Sequence, residues 1–319
     1  MAIGIICAIS VQVALASGCG GDDSDDVAVA YVRQARGVPA PSQVHVRSGG
    51  QWLEFELPSL TAAIRISPSG DKVFAVTAAF DGAALYLWER GDGDAVQRDA
   101  FDLQPLTLAE WSPDGSRFVL SFGTYSLLYD SGGNRLGEVM HSSLAFPLAP
   151  AWRADSEVFV AGISPTLDIV SRDGVLVSSY DLPRDITAHY LEYAGWTSSQ
   201  SIVLGWLENR VTSEVSVTVG GSVASAAQVV TVDDLGPRLR FDELHVAILG
   251  RFPEAQYLTS QPGSGAGDQQ PLLFVTPAGE THTLWVALLD GDEPRFLKLG
   301  EAEARSFDIA WQMDAVVLP

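Results

Sequence analysis

Short apolar runs alternate with turn-forming clusters along this chain, and one such unit keeps returning. Ile66-Ser-Pro-Ser-Gly-Asp-Lys-Val-Phe-Ala-Val76 is followed by Trp111-Ser-Pro-Asp-Gly-Ser-Arg-Phe-Val-Leu-Ser121. Further copies are Trp152-Arg-Ala-Asp-Ser-Glu-Val-Phe-Val-Ala-Gly162, Trp196-Thr-Ser-Ser-Gln-Ser-Ile-Val-Leu-Gly205 and the closing Trp311-Gln-Met-Asp-Ala-Val-Val-Leu318. From Ile66 to Trp196 the steps are 45, 41 and 44 residues, within the period of four-stranded propeller blades. In each unit a large side chain ends one strand, a turn follows, and a second strand begins. Pro113 presets φ for the first turn position, and Asp114 and Gly115 suit those after it. The strand over 117–121 is almost continuously apolar, as expected where both sheet faces are covered. Outer hairpins follow at 125–130 with 135–140 and at 166–171 with 175–180, each across a Gly-containing turn.

The chain ends complete the pattern. Residues 43–47 and 51–57 read as two strands, and the chain stops at Pro319 after only two strands of a blade, with Trp311 at the corner between them. Pairing them would close a ring and leave no free sheet edges. Between Trp196 and Trp311, an outer hairpin is predicted at 282–288 and 294–299, and residues 261–270 read as an inserted loop. No helix is expected after residue 26. The expected fold is all-β: a single β-propeller of four-stranded blades, with six blades favoured. Seven is the alternative, residues 239 to 260 offering room for extra strands.

The "WSPDG" corner and its spacing resemble the TolB-type, WD-repeat-like propeller repeats. The resemblance covers roughly residues 42–319 and is sharpest from 60 to 205. It implies that Ile66, Trp111, Trp152, Trp196 and Trp311 are repeated blade corners with a structural role. TolB itself carries a separate α/β domain before its propeller, so its role in envelope integrity is not implied here.

The first residues carry a different signal. Residues 2–16 are apolar except for Ser10 and Gln12, and Ala16-Ser17-Gly18-Cys19 follows. This has the length and small-residue ending of an export signal. It resembles the lipobox of bacterial lipoproteins, although Leu15 lies one place further from the cysteine than usual and no basic residue precedes Arg33. The resemblance implies cleavage before Cys19 and lipid on that residue. Residues 1–18 are then a signal peptide, 19–41 a lipidated cysteine with a flexible acidic tether, and 42–319 the propeller. Gly20 after the cysteine resembles outer-membrane-sorted lipoproteins of diderm bacteria; a monoderm would hold the protein on the outer face of its plasma membrane. Cys7 and Cys19 are the only cysteines, so the folded part has no disulfide, thiolate nucleophile or cysteine metal site.

Composition narrows the partners. The formal net charge is −21, and Lys72 and Lys298 are the only lysines. Such a surface repels phosphate backbones, which argues against nucleic acid. The five histidines, at 45, 141, 189, 245 and 282, form no H-x-H or H-E-x-x-H pair, so no local metal motif exists. There is no G-x-S-x-G elbow, and Gly263-Ser-Gly-Ala-Gly267 is neither a P-loop nor a dinucleotide fingerprint. Arg90-Gly-Asp92 reads as a turn between strands. The residues just before the corners, Arg65, Glu110, Ala151, Gly195 and Ala310, offer no ring of metal ligands. Arg65 and Glu110 stand at equivalent heights and are expected to form a structural ion pair. Trp52, Trp88, Trp206 and Trp285 lie outside the corners.

These readings lead to a monomeric, non-catalytic, cofactor-free scaffold, held to a membrane through Cys19 and binding an envelope protein or glycan. The competing class is a propeller enzyme, a metal-assisted hydrolase or lactonase, with its site assembled from separated loops.

Overall fold

The computed structural model describes residues 27–35, 41–79, 82–102, 106–122, 124–140, 150–163, 166–182, 184, 191–196, 198–208, 211–220, 229–237, 240–257, 272–279, 281–290, 293–302 and 309–317. They form six four-stranded antiparallel sheets, distributed over two compact units.

The first unit holds three sheets. One combines β1 (Val27–Ala35), β2 (Ser42–Ser48) and β3 (Gln51–Leu57) with the last strand of the chain, β24 (Ile309–Val317), in the order β24-β1-β2-β3. The second is a meander of β4 (Leu60–Ile66), β5 (Lys72–Ala79), β6 (Gly82–Glu89) and β7 (Val96–Phe101). The other unit contains β8 (Leu106–Trp111), β9 (Arg117–Phe122), β10 (Tyr125–Asp130) and β11 (Arg135–Met140), then β12 (Ala151–Trp152), β13 (Val158–Ile163), β14 (Thr166–Ser171) and β15 (Leu176–Asp181). Its third sheet is β16 (Leu191–Trp196), β17 (Ser201–Glu208), β18 (Val211–Gly220) and β19 (Val229–Pro237). The chain then returns to the first unit through α1 (Arg240–Arg251) and the sheet β20 (Gln256–Tyr257), β21 (Leu272–Ala278), β22 (Thr281–Asp290) and β23 (Glu293–Ala302).

Neighbouring sheets pack face to face within each unit. Ala28, Ala30, Val32, Val44 and Val46 of the terminal sheet meet Ile64, Ile66, Val73, Ala75 and Trp88 of the β4–β7 sheet. Val119, Leu128 and Val139 similarly meet Trp152, Phe159 and Val170. Both sheet faces are covered, which is why the second strand of each repeat is apolar at consecutive positions. Truncating a buried aromatic such as Phe118, stacked 5.0 Å from Tyr129, would cost about 3–5 kcal/mol.

Three expectations need correction. The stretch 19–41 was expected to be all tether, yet β1 occupies Val27–Ala35 with Ala28, Val29, Ala30, Tyr31 and Val32 buried. Its continuously apolar stretch Val27 to Val32 lies in a strand that pairs on both sides, with β2 and with β24. Among the described residues the C-terminal segment provides one long strand, Ile309–Val317, not two. Trp311 stands within β24 opposite Arg33, so the last copy of the motif has no corner turn, and the terminal sheet takes three strands from the N-terminal side. Residues 239–260 hold α1, where no helix was expected. Leu244, Val246 and Ile248 read as strand alternation, but Phe241, Leu244 and Ile248 also suit a helix. Burial settles the period: Ile248 packs on Phe274 and Ala287 while Val246 is exposed. The expected hairpin at 282–299 is present as β22 and β23. Residues 1–18, expected to be a signal peptide, and the loop expected at 261–270 lie outside the described residues.

Candidate functional site

The repeated corner is built to make a turn. In the β8–β9 copy the Ser112 amide donates to Arg117 O and the Gly115 amide to Ser112 O, both at 2.8 Å. The Ser112 hydroxyl donates to Asp114 Oδ1 at 2.6 Å and accepts from the Arg117 amide at 3.0 Å. In the β4–β5 copy the Ser67 amide donates to Lys72 O and the Gly70 amide to Ser67 O, again at 2.8 Å. The β12–β13 copy repeats both bonds from Arg153 to Val158 and from Ser156 to Arg153. Gly70, Gly115 and Ser156 have φ of 70°, 66° and 61°, the left-handed conformation that the tight turn requires. Serine at that place in the third copy is the single non-glycine with positive φ among the described residues.

A second bond of the same end recurs too. The backbone amides of Arg90, Ser131 and Arg172, each just past the third strand of its sheet, donate to the carbonyls of Asp71, Ser116 and Glu157. These acceptors are each five residues beyond Ile66, Trp111 and Trp152. Corner turns and outer-hairpin turns therefore share one end of each sheet, the corner end. Charge is organised around them. Burial raises the pKa of Asp114, but hydrogen bonds from Ser112 and Ser116 and the charge of Arg172 outweigh it, leaving the carboxyl below its ordinary 3.8. Asp155 is also lowered, chiefly by its hydrogen bond from Arg153. Asp130 is lowered because bonds from Asn134 and Gly132 outweigh its desolvation.

The structure places the predicted site residues as follows. Ile66, Trp111 and Trp152 are buried at the ends of the first strands of their sheets, and Trp196 is half-buried with its Nε1 donating to Ala151 O at 3.0 Å. Arg65 and Glu110 are both buried. They belong to different units, and Arg65 Nη1 donates to Ile64 O at 2.7 Å. Arg90-Gly-Asp92 is a turn, closed by the Asp92 amide on Glu89 O. His45 is a strand residue: Nδ1 lies 2.9 Å from Glu54 Oε1 and the ring stacks on Tyr31. Cys19, His141 and His189 lie outside the described residues. Among the described residues no group of three His, Cys, Asp or Glu converges in metal-binding geometry, and no helix is long and apolar enough to cross a membrane.

Sequence reasoning did not identify the cleft of about 580 Å³ at the opposite end of the β4–β7 sheet. Small residues open it. Ala84 on β6 faces Ala100 on β7, and Gly82 and Ala83 precede them. Pro58 and Ser59, in the link from β3 to β4, form one wall. Tyr86 and Gln97, register partners across β6 and β7, supply polar groups, the phenol donating to Gln97 Oε1 at 3.3 Å. Phe101 contributes a ring, and Asp102 a carboxylate at the rim. Among the described residues the lining contains no lysine, arginine, histidine or cysteine. An amide, a phenol, a carboxylate and apolar surface suit a neutral ligand with hydroxyl or amide groups, and disfavour an anion. The run Gly82-Ala83-Ala84 at the start of a strand was the available signal.

No family model matches the chain, and no curated protein matches it. Solved structures do resemble it at low identity. TolB from Acinetobacter baumannii aligns with a TM-score of 0.49 and 15% identity, over 92% of this chain and 67% of TolB. A functionally unknown protein from Desulfotomaculum acetoxidans DSM 771 gives a TM-score of 0.40 and 9% identity, over 87% of this chain and 80% of the other. Kuenenia stuttgartiensis hydrazine synthase gives 0.39 and 11%, over 76% of this chain and 73% of the enzyme.

Proposed function

We propose that this protein is an exported lipoprotein anchored through Cys19, whose six sheets close as the blades of one β-propeller, and that it is a non-catalytic binding scaffold of the bacterial cell envelope. The observation that carries the binding role is the cleft at the loop end of the β4–β7 sheet, lined by Tyr86, Gln97, Phe101 and Asp102. The terminal sheet, in which β24 pairs with β1 over nine residue pairs, supports closure, because it fastens the two ends of the chain together. Corner side chains are occupied in turn formation, so recognition falls to the opposite end. Its occupant is a protein loop or a glycan of the envelope.

A photo-crosslinking amino acid at Gln97 in living cells tests this reading. Capture of a reproducible envelope component, lost on changing Ala84→Leu to fill the cleft, is the expected result. Equal capture from a control position at Arg135 would remove the cleft from consideration. Metal content separates the enzyme class: stoichiometric metal in the purified protein would overturn the scaffold in favour of a metal-assisted hydrolase or lactonase.

A further inference from the structure

From the point at which the chain enters the fold, we infer that the corner end of the terminal and β4–β7 sheets faces the membrane and the cleft end faces away. This rests on the proposed anchor at Cys19 and adds an orientation to it.

The direction of β1 decides the matter. Val29 pairs with Arg47 and Arg33 with Gln43, antiparallel, so the Val27 end of β1 lies level with the turn Ser48-Gly49-Gly50. That turn belongs to the corner end. An added Cβ on Gly49 would meet Arg90 Nη2 at 3.0 Å, the Arg90 guanidinium lies 3.5 Å from Ser48 Oγ, and the Arg90 amide bonds to Asp71 O in the β4–β5 corner. The opposite end holds the Ala35 terminus of β1, the Ser42 start of β2 and the cleft, with Ser42 Oγ donating to Ser59 O at 2.9 Å. A strand of this length separates the two ends by about 23 Å.

Seven residues, Gly20 to Asp26, join Cys19 to β1. Fully extended, that link reaches about 28 Å; as a flexible coil it averages about 16 Å. Its average span falls short of the separation between the two ends, so the cleft end could approach the bilayer only with the link near full extension. Charge sets the distance from the bilayer, while the attachment point sets the orientation. The link contributes Asp22, Asp23, Asp25 and Asp26, and the corner end adds Asp71, Glu89, Asp92 and Asp94 against Lys72 and Arg90. Anionic headgroups repel this set over roughly 8–10 Å at physiological salt. The corner end therefore faces the bilayer without lying on it, and the cleft is presented outward.

The test uses the full lipidated protein in vesicles containing phosphatidylglycerol and a headgroup-labelled acceptor lipid. A fluorescent amino acid is placed at Asp92 or at Asp102. Energy transfer several-fold stronger from position 92 is expected, and a long Gly/Ser insertion after Asp26 should erase the difference. Equal or reversed transfer in lipidated protein would overturn the orientation while leaving the anchor intact. The mass of the N-terminal peptide is read in parallel: an unlipidated Cys19 would overturn the anchor and the orientation with it.

Discussion

The backbone amide of Asp114 donates to the hydroxyl of Ser156 across 3.0 Å, linking the corner of one sheet to the corner of the next. Ser156 is buried and has φ 61°, so it holds this bond in a conformation usually left to glycine. Ser156→Gly loses the bond, about 1 kcal/mol, but removes a left-handed strain of similar size. Ser156→Ala loses the bond and keeps the strain. Urea denaturation should find the alanine variant about 1 kcal/mol less stable than the glycine variant. Equal stabilities would mean that the strain is not there to be relieved.

The indole nitrogens of two corner tryptophans differ. Trp196 Nε1 donates to Ala151 O, whereas Trp152 Nε1 is buried with no acceptor among the described residues. Replacing either residue with benzothienylalanine keeps the shape and removes the N–H. The change at 196 should cost about 1–3 kcal/mol, because it leaves the Ala151 carbonyl without that donor. At 152 it should be neutral or stabilising, since an unsatisfied donor is removed. Thermal unfolding of the two semisynthetic proteins makes the comparison.

Gly49 combines φ +55° with the close approach of Arg90. Arg90 is flexible at its tip and can yield, so backbone strain should dominate the cost of a side chain here. Gly49→Val should lower stability by more than Gly49→Asn, since asparagine tolerates the left-handed region and β-branched residues do not. The ranking should survive in an Arg90→Ala background. Loss of the ranking there would show that the contact, not φ, sets the cost.

Acid should unfold the protein through its corner carboxylates. Asp114, Asp130 and Asp155 all sit below their ordinary 3.8 in the folded state. Their stabilisation is complete above the unfolded-state pKa and is lost as pH falls through the lower folded values. Stability due to these groups should thus be level above about pH 5 and decline below it. Asp155→Asn should flatten the decline measured by urea midpoints between about pH 2 and 6. An unchanged acid limb would exclude Asp155 as a contributor.

Much of this architecture was legible because the period is carried by local chemistry. A large residue, a Ser- or Arg-led turn and an apolar strand can be recognised without knowing what packs above them, and three corners reproduce the same two backbone hydrogen bonds. Local chemistry is ambiguous where two readings have equal support. Val27–Ala35 followed an acidic linker and was absorbed into it, and Phe241 to Ile248 satisfied both helix and strand periods. Trp311 looked like a corner because its neighbours were compatible with a turn, but β1 offered it a continuous strand partner.

Residue type and spacing alone specify the repeated strand–turn–strand unit, the acidic surface and the cysteine-free body. How the ends are fastened and where the cleft lies follow from packing between distant elements. Pairing of β1 with β24 joins residues almost three hundred positions apart, and no local propensity specifies that partner. The cleft likewise arises from what Ala84 and Ala100 fail to fill once their strands are side by side. A void belongs to the packing of several elements, so no single stretch of sequence can display it.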